Sequence, residues 1–90
     1  MGKETVLFSS EEKKDLQSVA VFLHQLADKL AQNRVILRQG SDEIVVDIPN
    51  YVVLEIKVEE ELKKNKTQQS LEIEIEWNVG EEAPGNLELG

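Results

Sequence analysis

From Ser70 to Trp77 the chain alternates without a break. Leu71, Ile73, Ile75 and Trp77 are large and apolar, and Glu72, Glu74 and Glu76 stand between them. Successive side chains of a strand point to opposite faces, so this segment has one dry face and one row of carboxylates. The same period of two runs through residues 52–62. There Val52, Leu54, Ile56 and Val58 fall on the inner side, and Glu55, Lys57, Glu59 and Glu61 on the outer. The pattern predicts strands at 52–62 and 71–79, joined by a polar loop at 63–69.

Upstream the period changes to that of a helix. Leu16, Val19, Ala20, Leu23, Leu26, Ala27 and Leu30 recur at steps of three and four. At 100° per residue all seven lie within about 60° of Leu23, which makes one stripe. Ser9 and Glu12 have capping-box spacing, but Asp15 stands just before the apolar period and is the favoured N-cap. Asn33 is placed to close the helix. Residues 34–39 and 42–48 then form a hairpin. A two-residue Gly40-Ser41 loop fits a type II′ turn. It sets Val35 against Val46 and Leu37 against Ile44 on one face. On the other it sets Arg38 against Glu43, Ile36 against Val45 and Arg34 against Asp47. Two opposite-charge pairs meet in this register, as cross-strand pairing favours. Pro49-Asn50 makes the next turn. Residues 3–9, with Val6 and Phe8 on one side and Leu7 on the other, read as a short first strand.

Every strand has an apolar face and the helix has one stripe to bury. The expected architecture is α+β: one amphipathic helix packed on one face of an antiparallel four- or five-stranded sheet, in the order β-α-β-β-β-β. Residues 1–79 are expected to be a single domain and 80–90 a disordered tail.

Totals narrow the function classes. Ninety residues suit one small core, and 40% hydrophobic with 31% charged content suits a globular chain with a well-solvated surface. The absence of cysteine removes disulfides, thiolate metal sites and cysteine nucleophiles. No secretory leader or membrane span is read from the chain, so a cytoplasmic protein is expected. A net charge of −8 argues against nucleic acid or an anionic membrane as partner.

Candidate chemistry is sparse. His24, the one histidine, lies on the helix flank with Asp28 one turn later. An acid–base dyad needs a nucleophile or pocket beside it, and none is patterned here, so a solvated pair is expected. The serines lack nucleophile-elbow context, and no phosphate loop, zinc spacing or calcium loop occurs. Trp77 shares the inward parity of Leu71, Ile73 and Ile75, which predicts a core residue. Val21 and Phe22 read as ordinary exposed apolar residues or as a small self-association patch. The carboxylate row is the unusual surface. Glu59 and Glu61 are expected to face some of Glu72, Glu74 and Glu76, with Lys57 the one opposite charge on that face. Such a row serves either as a docking face for a basic partner or as a solvated face that blocks edge-to-edge aggregation.

The order of these motifs resembles the amphi-Trp domain family, whose name denotes an amphipathic strand ending in Trp. The resemblance is carried by Leu7-Phe8-Ser9, by the helix run from Val19 to Leu30, and by Leu37-Arg38-Gln39-Gly40. It continues through Ile48-Pro49, Leu54-Glu55-Ile56 and the segment from Leu71 to Trp77. It implies no catalytic residue, cofactor or activity.

The expectation is a small non-enzymatic interaction module that presents Glu55, Glu59, Glu61, Glu72, Glu74 and Glu76 to a basic protein partner. Neither cofactor nor metal is expected, and the chain is expected to be a monomer or weak homodimer. The alternative is a small-ligand or divalent-cation-binding protein.

Overall fold

The computed structural model describes residues 2–80. Its elements are the helix α1 (Leu16–Leu30) and the strands β1 (Arg34–Gln39), β2 (Asp42–Asp47), β3 (Val53–Lys63) and β4 (Lys66–Glu76). The α+β class holds, with one helix and four antiparallel strands. The ladders form two two-stranded sheets, β1–β2 and β3–β4. The expectation is one antiparallel sheet of four or five strands. Residues 48–52 carry no strand, and Pro49, which has no N–H to donate, lies among them. The chain divides into two compact units at this break, Met1–Ile48 and Pro49–Gly90. The expected tail lies, apart from Gly80, outside the described residues.

The expected first strand does not form. Residues 3–9 have no ladder partner, and Val6 and Leu7 are exposed while Phe8 is half-buried. Three apolar residues in a row give such a short segment no dry face to hold it to a sheet.

In the first unit, α1 starts where the sequence placed it. Asp15 is the N-cap: its carboxylate accepts from the Ser18 amide at 3.2 Å and from the Ser18 hydroxyl at 2.5 Å. These bonds hold the Asp15 carboxyl below its ordinary pKa. The helix ends at Ala31, earlier than Asn33, and Asn33 follows with φ of 62°. Asn tolerates this left-handed conformation better than other side chains do. Its Nδ2 donates to the Ile48 carbonyl at 2.8 Å, and the Ile48 amide donates to the Asn33 carbonyl at 2.9 Å. The helix exit is thus tied to the open end of the hairpin.

The β1–β2 register is the expected one throughout, from Arg34 opposite Asp47 to Gln39 opposite Asp42. Gly40 has φ of 60° and Ser41 is not among the positive-φ residues, the combination a type II′ turn requires. Val35, Leu37, Ile44 and Val46 share one face. Val35 is 6% exposed and is the one buried hydrophobic residue among those described. Its companions on that face are half-buried, as are Leu26 and Leu30 of the helix, which packs on β1. Toward the start of the helix the stripe is open, with Leu16 82% exposed.

The second unit is a long hairpin. Leu54 faces Ile75, Ile56 faces Ile73, and Val58 faces Leu71 on one side of the ladder. The expected loop at 63–69 is instead mostly strand. The turn is Lys64-Asn65, flanked by Lys63 opposite Lys66, and Lys64 takes φ of 41°. Thr67, Gln68, Gln69 and Ser70 are polar on both faces, so their alternation is invisible to hydropathy. The ladder continues through them all the same, and Gln69 Nε2 donates to Glu60 Oε1 across it at 2.8 Å. Among the described residues, no helix is long and apolar enough to cross a membrane.

Candidate functional site: the acidic face of the long hairpin

The β3–β4 register decides which carboxylates meet. Glu55, Lys57, Glu59, Glu61 and Lys63 of β3 share a face with Glu76, Glu74, Glu72, Ser70, Gln68 and Lys66 of β4. Along this face the charges are not distributed evenly. At the turn end, Lys63 and Lys66 lie opposite each other, and Lys63 Nζ is 3.8 Å from Glu61. In the middle, Lys57 Nζ lies 2.7 Å from Glu59 and 3.5 Å from Glu72. These two carboxylates, Glu59 foremost, hold the lysine above its ordinary pKa.

At the other end Glu55 stands directly opposite Glu74, with Glu76 two residues along on the same side. One carboxylate oxygen from each of the three falls within 4.8 Å of the others. Glu74 carries the consequence. A hydrogen bond shared with Glu76, then the Glu76 charge itself, raises the Glu74 carboxyl above its ordinary value, and Lys57 offsets this in part.

Two expectations are therefore corrected. Glu59 and Glu61 do not face Glu72, Glu74 or Glu76; they face Ser70 and Gln68. A longer strand and a tighter turn shift the pairing. Lys57 is also not alone, since Lys63 and Lys66 lie on the same face. Of the six glutamates read from sequence, Glu59, Glu61 and Glu72 lie in ion pairs with lysines, and Glu55, Glu74 and Glu76 form a cluster with no such pair among the described contacts. The register was the missing signal, and the Lys-Asn pair at 64–65 is the cue that could have supplied it.

The other candidates resolve differently. No hydrogen bond or ion pair joins His24 to Asp28 among the described contacts. Trp77 follows the end of β4 and is half-buried, as is Ile75, while Leu71 and Ile73 are exposed. A depression of about 680 Å³ in the first unit is lined by Lys29, Arg34, Arg38, Ile36 and Asp47, among others. Its arginines are already engaged, Arg34 Nε with Asp47 at 2.6 Å and Arg38 Nε with Glu43 at 2.9 Å.

As a metal centre, the Glu55, Glu74 and Glu76 cluster offers hard oxygen donors. Calcium takes 6–8 oxygens and magnesium an octahedral set. Three single oxygens would leave much of either shell to water, the chemistry of a weak site. As a protein contact, three exposed carboxylates within one patch match a lysine or arginine side chain.

The family model of the Amphi-Trp domain matches residues 1–90. No curated protein matches the chain. No solved structure matches it.

Proposed function

The chain belongs to the amphi-Trp domain family, and from that premise we propose that it is a non-enzymatic interaction module. Its acidic hairpin end, built from Glu55, Glu74 and Glu76, receives a basic protein segment. The observation that carries this reading is the geometry of three carboxylates, with Glu55 directly opposite Glu74 and one oxygen each of Glu55, Glu74 and Glu76 within 4.8 Å of the others. Like charges facing each other across a ladder weaken it, so a neighbouring cation relieves a repulsion that the free hairpin retains. A lysine or arginine from a partner supplies that cation. The middle and turn ends of the same face supply their own lysines and contribute less. A cytoplasmic setting goes with this reading, since a chain without cysteine needs no oxidising compartment.

Affinity capture from the source lysate tests it. The wild type is compared with a variant carrying Glu55→Gln, Glu74→Gln and Glu76→Gln, and with a control carrying Glu59→Gln and Glu61→Gln. The cluster variant is expected to lose basic partners that the control retains. Identical partner sets for all three proteins would sink the proposal.

A divalent cation is the second reading, favoured by the mutual approach of the three carboxylate oxygens within 4.8 Å. Here calcium or magnesium alone raises the thermal midpoint of the wild type and not of the cluster variant, because a ligand that binds the folded chain stabilises it by mass action. No shift at millimolar ion would dismiss this second reading and leave the first standing.

A further inference from the structure

The long hairpin has an opposite face, and its chemistry differs in kind from that of the acidic one. Leu54, Ile56, Val58, Leu71 and Ile73 lie there, and each is between 56% and 72% exposed. Together they form three rows of paired branched aliphatics once Ile75 is counted. The exposed part is on the order of 600 Å², the size at which a contiguous apolar patch marks an interaction surface. A lone two-stranded hairpin is marginally stable in water without a further layer on its apolar face. Both strands here are 11 residues long and fully paired, so the ladder is built for a support that the hairpin itself does not provide.

We propose that a second copy of this chain covers that face, the two β3–β4 hairpins stacking apolar side to apolar side about a twofold axis. Three features select a second copy. The patch suits the standard interface, which buries about 800 Å² per partner, once the rim is added. It is an array of Leu, Ile and Val, with Trp77 on the same parity just past the end of β4, and a twofold axis sets that array against its own copy, as an isologous contact requires. It is also nearly free of charge. Glu60 is the one carboxylate on this side between Leu54 and Leu62, it lies at the turn end, and it already accepts from Gln69. Like charges facing each other in the contact would oppose stacking. The remaining glutamates of the hairpin point to the opposite side, and stacked sheets stand about 10 Å apart, so each copy turns its acidic row away from the contact. The dimer formed this way presents its two acidic faces outward. The inference does not depend on the acidic face having a partner.

Sedimentation equilibrium of the full chain, joined to thiol labelling of introduced cysteines, tests it. The protein has no cysteine, so one introduced thiol reports one position. Ile56→Cys places a thiol in the middle row of the apolar face, and Glu59→Cys places one on the acidic face of the same strand. The wild type is expected to sediment at twice 10.2 kDa at micromolar concentration. Ile56→Cys is expected to react with a maleimide several-fold more slowly than Glu59→Cys, because the contact covers it. A mass of one chain across that range overturns the proposal. So does a dimer in which Ile56→Cys reacts no more slowly than Glu59→Cys, which would put the contact elsewhere.

Discussion

Glu74 is the residue whose environment departs most clearly from that of a free glutamate. Its carboxyl is raised by a hydrogen bond and repulsion from Glu76. A raised folded value means that the folded chain holds this proton more tightly than the unfolded chain does. The linked stability is fully present below the ordinary value of 4.5 and is lost as pH rises through the raised one. At neutral pH the pair is therefore a source of strain. Glu74→Gln keeps the shape and removes the charge, so its thermal midpoint should exceed that of the wild type at neutral pH. The advantage should vanish in acid below the ordinary glutamate value, as differential scanning calorimetry at the two pH values would show. Val35 is the counterpart inside the first unit. It is 6% exposed on the hairpin face that packs under α1, and Val35→Ala should cost about 2 kcal/mol in urea denaturation through the cavity it leaves. Neither residue is conspicuous in sequence. Val35 reads as one apolar residue of the run Val35-Ile36-Leu37, and Glu74 as one of several alternating glutamates.

At the scale of elements, the readable parts were those in which local chemistry alone decides. The Asp15 cap and the β1–β2 hairpin came out as the sequence predicted because each is set by residues a few positions apart. Gly40 permits the turn, and the two arginine–carboxylate pairs agree with one register and no other. Gly40→Val should weaken the first unit by on the order of 1 kcal/mol, since a β-branched residue resists the left-handed backbone there. A second test at this scale is Asp15→Ala. It removes both bonds to Ser18, and amide exchange should rise in the first turn of α1 while the β3–β4 ladder stays unchanged. The parts that were not readable depend on pairing at a distance. Val6, Leu7 and Phe8 have strand-like character but no ladder partner. Thr67 to Ser70 have no hydropathic alternation, yet their backbone continues a ladder that Lys64-Asn65 has already started. This hidden extension moved Glu59 and Glu61 away from the β4 glutamates and changed which carboxylates make the site.

At the scale of the whole molecule, the amphipathic strands give the long hairpin two unlike surfaces. One carries branched aliphatics in rows. The other carries a charge gradient, from lysines at the turn to bare carboxylates at the open end. The sequence showed that both faces exist and which residues occupy each. It did not show that lysines neutralise half of the acidic row, because that follows from the register. A long-range acidic field favours fast encounter with basic partners and is screened by salt, so binding should weaken as ionic strength rises. The most direct test is an NMR titration of the ¹⁵N-labelled protein with a short oligolysine peptide at low salt. Amide shifts should concentrate at Glu55, Glu74 and Glu76, exceed those at Glu59, Glu61 and Glu72, and collapse on adding salt. Shifts that spread evenly over all six glutamates, or no shifts at all, would contradict a docking site at the open end of the hairpin.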